Sequence, residues 1–239
     1  MRRKAILIEA SKVTGLTDLP GARKDVEEFK TFLQSPIGGA WENEEITTLH
    51  TPTLTALTLE LAIAKYSDYV FIAFSGHGQH VKGKEIDETR VFVSGQKEVP
   101  LSTFNCGADR TTIVIDACRE VSFLEEAREF SAAMLAKEGE FLDPKLHREK
   151  FDASVRIAPK GIEILFSCDI EEVAHETKRG GYFSQGLIRS AKGLKPGTTL
   201  DIEDAFKSAY KYVQNEVPQQ HPQFNGGRRL THFPFAVRV

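Results

Sequence analysis

Apolar positions along this chain fall into two kinds of pattern, short unbroken runs and stripes at helical spacing. Asp68-Tyr69-Val70-Phe71-Ile72-Ala73-Phe74-Ser75 and Thr111-Thr112-Ile113-Val114-Ile115-Asp116 are nearly continuous runs rich in β-branched and aromatic residues, the mark of strands covered on both faces. Lys4 to Glu9, Glu45 to His50 and Gly161 to Cys168 read as further strands, and Phe235 to Val239 as a closing one. After Leu19-Pro20-Gly21-Ala22, the residues Val26, Phe29, Phe32 and Leu33 recur at helical spacing, and Thr53 can cap a helix carrying Leu54, Leu57, Leu61 and Ala64. Tyr182 to Ser190 and Ile202 to Val213 predict two more amphipathic helices. Strands alternating with helices imply right-handed crossovers and a mostly parallel sheet with helices on both faces.

Two stretches break the alternation. Arg90-Val91-Phe92-Val93-Ser94, following a charged segment around Lys82-Gly83-Lys84-Glu85, predicts a small hairpin or edge excursion above the sheet. Between the Thr111 run and Gly161 lies an insertion at about 121–160, with a helix predicted near Phe123 to Lys137 and a poorly patterned tail from Glu138 to Lys160. Insertions of this length in a compact domain are usually lids, binding loops or disordered segments. Residues 1–239 otherwise read as one domain, without repeats or an interdomain linker.

Composition narrows the class without naming a partner. Of 239 residues 41% are hydrophobic and 27% charged, with a net charge of −3, so no global field draws the chain to nucleic acid or a membrane. No apolar run nears the roughly 20 residues of a membrane span, and the four apolar residues after Lys4 are too few for a signal-peptide core, so the expected location is the cytoplasm. Three cysteines, Cys106, Cys118 and Cys168, without CxxC spacing, argue for free thiols over a disulfide framework or a structural zinc site. No cofactor is called for, and no acidic cluster demands calcium.

Both long apolar runs end in reactive groups, His77 in Ser75-Gly76-His77-Gly78 and Cys118 in Asp116-Ala117-Cys118-Arg119. In an open α/β sheet the carboxyl ends of parallel strands carry the chemistry, so these side chains can meet although 41 positions separate them. A cysteine nucleophile needs a base and donors for the oxyanion it creates. His77 supplies the base, and the N–H groups of Gly78 and Cys118 are candidate donors. His80, three residues after His77, lacks the companions of a zinc site. Asp116, two residues before Cys118, falls on the same strand face about 6 to 7 Å back.

Phe74-Ser75-Gly76-His77-Gly78 and Ile115-Asp116-Ala117-Cys118-Arg119 resemble the histidine and cysteine motifs of the caspase-like cysteine peptidases, in particular their bacterial and metacaspase (orthocaspase) branch. Leu19-Pro20-Gly21-Ala22-Arg23-Lys24-Asp25 resembles the opening of that family's first helix. Phe166-Ser167-Cys168-Asp169 and Gly181-Tyr182-Phe183-Ser184 resemble its later strand and helix. The resemblance implies a caspase-like three-layer α/β/α sandwich with a mostly parallel central sheet. It also implies an endopeptidase with a His77–Cys118 dyad and an oxyanion hole from Gly78 and Cys118.

True caspases place glutamine two residues before the cysteine, where this chain has Asp116, and metacaspases follow the cysteine with His-Ser-Gly, where this chain has Arg119-Glu120-Val121. The Asp-x-Cys form resembles that of the metacaspase branch, and the resemblance implies cleavage after Arg or Lys. Asp116 and Asp169 are then the expected substrate-binding acids, with Glu172 and Glu176 as weaker candidates. Arg128, Lys137, Lys145, Arg148, Lys150, Arg156 and Lys160 in the insertion offer sites for self-processing or for an activating protease. The expected partners are a protein or peptide substrate and an activating protease or regulatory partner. Rival readings are a catalytically idle caspase-like binding module, a protease with acidic preference, and a doubly wound ligand-binding domain, the last without any phosphate-binding glycine loop to support it.

Overall fold

The two apolar runs lie side by side at the centre of the molecule, as their burial on both faces demands. The structure, a computed structural model, describes residues 1–82, 87–118 and 142–239. In chain order these form β1 (Arg3–Ala10), α1 (Pro20–Gln34), β2 (Ile46–His50), α2 (Leu54–Ala64), β3 (Tyr69–Lys82), β4 (Asp87–Ser94), β5 (Lys97–Pro100) and β6 (Arg110–Cys118). There follow α3 (Pro144–Ile157), β7 (Gly161–Phe166), β8 (Glu176–Thr177), β9 (Gly180–Gly181), α4 (Tyr182–Ser190), β10 (Thr199–Asp201), α5 (Ile202–Glu216), β11 (Gln223–Asn225) and β12 (Pro234–Val237). The main sheet runs β11-β7-β6-β3-β1-β2. Every pairing in it is parallel except that of the short edge strand β11 with β7.

Period-2 alternation along the central strands sends their apolar residues to both faces. Leu7, Phe71, Ala73, Val114 and Leu165 pack against α1, α3, α4 and α5 on one side. Ile6, Ile8, Val70, Ile72, Phe74, Ile113 and Ile115 pack on the other, against α2, β4 and β5. This is a three-layer α/β/α sandwich. Thr53 caps α2, its side chain accepting the Ala56 N–H as the sequence predicts. Among the described residues no helix is long and apolar enough to cross a membrane.

The structure differs from the sequence expectation in three places. β3 does not stop at the histidine motif but continues to Lys82, leaving the main sheet to pair antiparallel with β4 from Gly78 onward. Gly76 permits this departure: a side chain there would press on the Ala10 carbonyl of the neighbouring strand. The tail expected to be poorly patterned contains α3, started by Pro144 and capped by Asp143, which accepts the N–H groups of Lys145 and Leu146. Its inward residues His147, Phe151 and Val155 recur every four positions, a stripe too narrow to register against the surrounding charge. The closing strand β12 pairs with β10 in a separate antiparallel ribbon and does not join the main sheet. The helix expected over Phe123 to Lys137 lies outside the described residues.

Candidate active site

The parallel register of β3 with β6 sets Ser75 opposite Asp116 and His77 opposite Cys118. Neighbouring strands lie about 4.8 Å apart. The two pairings are two residues apart, and the pleat assigns Ser75, His77 and Asp116 to one face of the sheet, the face packed by α1 and α4.

His77 is 1% exposed, and its Nε2 lies 2.8 Å from the Thr17 carbonyl oxygen. A carbonyl only accepts, so Nε2 carries the proton and donates it, which leaves Nδ1 as the basic nitrogen. Burial lowers the imidazole pKa, partly offset by this hydrogen bond. The ring is therefore neutral at neutral pH and held in one tautomer by backbone.

One rung further into the sheet the polar residues enclose a small cavity. Leu19, Asp25, Ser75, Gly76, Asp116, Ala174, His175, Glu176 and Gly181 line about 10 Å³, room for about one water molecule. Five elements build it: α1 with the residue before it, the tips of β3 and β6, the strand β8 with the residues before it, and β9 at the entry to α4.

Asp25 accepts the Ser75 hydroxyl at 2.7 Å and the Gly181 N–H at 2.9 Å. The Asp116 Oδ2 accepts the Ser184 hydroxyl at 2.6 Å and the Ser184 N–H at 3.0 Å. Glu176 accepts the Gly21 N–H at 3.3 Å. Gly180 and Gly181 are required here, because a side chain on either would collide with the carboxylate of Asp25 or Asp116.

Three carboxyls share this site with neutral donors. Burial raises the pKa of Asp25, reinforced by the neighbouring Asp116, and burial raises that of Asp116. Glu176 is pushed up to about 7, by burial first and by Asp116 second. Like charges in one low-dielectric site do not all ionise. His175 is also buried, its Nδ1 without a hydrogen-bond partner, and burial lowers its pKa. Its backbone is clasped on both sides, the N–H donating to Gln220 and the carbonyl accepting from Tyr182.

The structure thus brings together His77, the Cys118 backbone position and Asp116, but not Asp169. Asp169 Oδ1 accepts the N–H of Ile170 next to it, and its own N–H donates to Glu172. Asp169 does not line the cavity. Glu172 accepts from the backbone and ring of His221. Glu176, a weaker candidate from sequence, does line the cavity. Sequence reasoning passed over Asp25, although a signal was present: Asp25 shares the helical stripe of Ala22, Val26 and Phe29, where a lone carboxylate is out of place. The Thr17 carbonyl, being backbone, left no signal.

His80 is bound across the β3–β4 hairpin to Asp87 and Thr89. Among the described residues no three His, Cys, Asp or Glu side chains are arranged to hold a metal ion. Cys106 is a free thiol, and the Cys168 thiol donates to the carbonyl oxygens of Ala117 and Glu172.

A doubly covered, mostly parallel sheet with a histidine and a cysteine on adjacent strand tips defines the α/β class to which the caspase-like peptidases belong. The chain belongs to the caspase domain family, whose sequence model matches residues 2–233, and so it is of cysteine-peptidase kind. No curated protein matches it by sequence. Among solved structures it is similar to caspase-1 from Spodoptera frugiperda, with a TM-score of 0.61 and 14% identity over 94% of this chain and 86% of that one. It is also similar to protein GSU0716 from Geobacter sulfurreducens, with a TM-score of 0.62 and 16% identity over 100% of both chains. At these identities the likeness is one of fold.

Proposed function

We propose that the protein is a cysteine endopeptidase using Cys118 and His77, and that it cleaves after Arg or Lys. In this reading the Cys118 thiolate attacks the scissile carbonyl and forms a tetrahedral oxyanion that accepts from the N–H groups of Gly78 and Cys118. His77 holds the thiol proton and gives it to the leaving amine. The same ring then draws a proton from the water that releases the acyl group. The Thr17 carbonyl fixes the tautomer this requires.

The observation that carries the reading is the register: the rung of His77 and Cys118 lies two residues beyond the rung of Ser75 and Asp116, which lines the acid cavity. A lysine or arginine side chain reaching into that cavity meets Asp116, Asp25 and Glu176, whereas an aspartate side chain meets like charge. In the structure the cavity has room for about one water, so substrate entry requires the β8–β9 hairpin to move off the aspartates. Applied to the chain itself, the preference makes Arg128, Lys137, Lys145, Arg148, Lys150, Arg156 and Lys160 candidate processing sites, of which Lys145, Arg148, Lys150 and Arg156 lie within α3.

Arginyl, lysyl and aspartyl fluorogenic peptides offered to wild type and to Cys118→Ala test the reading. Hydrolysis of the two basic peptides by wild type alone is expected. Faster turnover of the aspartyl peptide, or equal turnover by both proteins, overturns it.

A further inference from the structure

The three acids around the cavity raise a question of charge balance that the basic-pocket reading leaves open. Asp25 is bonded to Ser75 and Gly181, Asp116 to Ser184, and Glu176 to Gly21. All these partners are neutral, and no ion pair to the three acids occurs among the described residues. The groups facing Glu176 are Asp25 and the Gly21 N–H from α1, Asp116 from β6, and the adjoining His175 on its own segment. Asp25 and Asp116 are buried on fixed elements, whereas Glu176 sits on the two-residue strand β8, at the edge of the hairpin that covers the cavity.

An empty site of this kind stays near neutrality by keeping protons on its carboxyls. A cationic side chain entering it supplies the missing positive charge, and a retained proton becomes redundant.

Building on the basic-pocket reading, we propose that Glu176 is a specificity-determining residue that, below neutral pH, becomes charged only as a basic side chain enters the cavity, exchanging its proton for the incoming cation. The exchange balances: one positive charge enters, one proton leaves the Glu176 carboxyl for solvent, and the net charge of the site is unchanged. An uncharged isostere gains nothing from it, because the proton then stays and the carboxyl presents no charge. Discrimination against neutral side chains therefore comes from the exchange, and it weakens as the solution is acidified. Burial and the nearby Asp116, which hold the proton on Glu176 up to near neutral pH, support this assignment.

Isothermal titration of Cys118→Ala with an acetylated tripeptide ending in arginine amide tests the proposal, run in two buffers of different ionisation enthalpy. At about pH 6 the expected result is release of roughly one proton per peptide bound, falling to almost none near pH 8.5. Affinity should rise by about tenfold per pH unit from about pH 5 to 7 and then level off. The citrulline counterpart should bind weakly and release none. Adding Glu176→Gln should remove most of the proton release and flatten the pH dependence.

Should the glutamine variant not fold, carbon NMR of the glutamate carboxyls in Cys118→Ala reads the same event, as one resonance that ionises on addition of peptide. Peptide binding with no buffer dependence at about pH 6, or undiminished proton release from the Glu176→Gln protein, overturns the proposal and leaves the basic pocket intact. Failure of the arginyl peptide to bind at any pH overturns the basic pocket, and this inference with it.

Discussion

The retained proton on Glu176 has a cost that can be read as stability. Its folded pKa lies near 7 against an ordinary value of 4.5. Between those two values the unfolded chain releases a proton that the folded protein keeps. Stability therefore falls as pH rises from about 4.5 to about 7 and is constant beyond. At roughly 1.4 kcal/mol per pH unit the loss is about 3 kcal/mol above pH 7, an upper figure because Asp116 shares the effect.

Glu176→Gln keeps an oxygen to accept the Gly21 N–H and cannot ionise. It should be nearly neutral at about pH 4.5 and more stable than the parent by about 2 to 3 kcal/mol at about pH 8. For a domain of this size that corresponds to a rise in Tm of roughly 4 to 10 °C. Urea denaturation at a series of pH values, in a Cys118→Ala background to prevent self-cleavage, measures it through shifts in midpoint at unchanged slope. Parallel pH profiles for the two proteins, or a less stable glutamine variant at about pH 8, would refute the charge reasoning.

Two further outcomes follow from packing. Gly181→Ala sets a methyl group against the Asp116 carboxylate and should lower stability by about 1 to 3 kcal/mol. It should also raise amide exchange in β8 and β9, read by hydrogen exchange; unchanged exchange there would mean that the hairpin does not rest on the acids. Phe151→Ala removes a ring that is 1% exposed and packed on Trp41 and Tyr69. Urea denaturation should show a loss of about 3 to 5 kcal/mol, with the ratio of arginyl to lysyl cleavage unaltered because α3 lies outside the cavity.

What could be read from sequence follows from how each element declares itself. β3 and β6 announce themselves because strands buried on both faces leave little room for charge, β1, β2 and β7 as short β-branched or apolar runs, and α1 and α2 because their inward residues recur at helical spacing. α3 escaped because Phe151 and Val155 stand among Arg148, Lys150 and Arg156, charges that the helix turns outward or ion-pairs, as Arg148 does with Glu45. The extension of β3 past His77 escaped because glycine and histidine mark the end of a buried strand equally well whether the chain turns or pairs with a new hairpin.

That His77 and Cys118 stand opposite each other on adjacent strand tips was legible, because each ends a long apolar run, but the acids of the cavity were legible only in part. Asp116 is fixed to Cys118 by the two-residue repeat of a strand, whereas Asp25 and Glu176 reach the cavity by tertiary packing alone. Asp169 does not line the cavity, because a carboxylate at a strand end is as well suited to closing a turn, and there it accepts the Ile170 N–H.

The cavity's composition points to a division of labour among its acids. Asp25 and Asp116 each accept two hydrogen bonds from fixed serine and backbone donors, and such bonds oppose the rise that burial imposes on a carboxyl. Glu176 has one long bond, to Gly21, and so it is the acid least compensated by its surroundings and the easiest to move. Placing that residue on a hairpin that two glycines let rest directly on the aspartates joins charge to motion. In the proposed exchange the hairpin lifts to admit a side chain, and Glu176 leaves its weak bond as the incoming group brings the charge that lets it ionise. A rigid pocket of three fixed acids would bear the full electrostatic cost in the empty state, and a pocket of two would exert less pull on a cation. The mobile third acid lowers the first cost while keeping the second benefit.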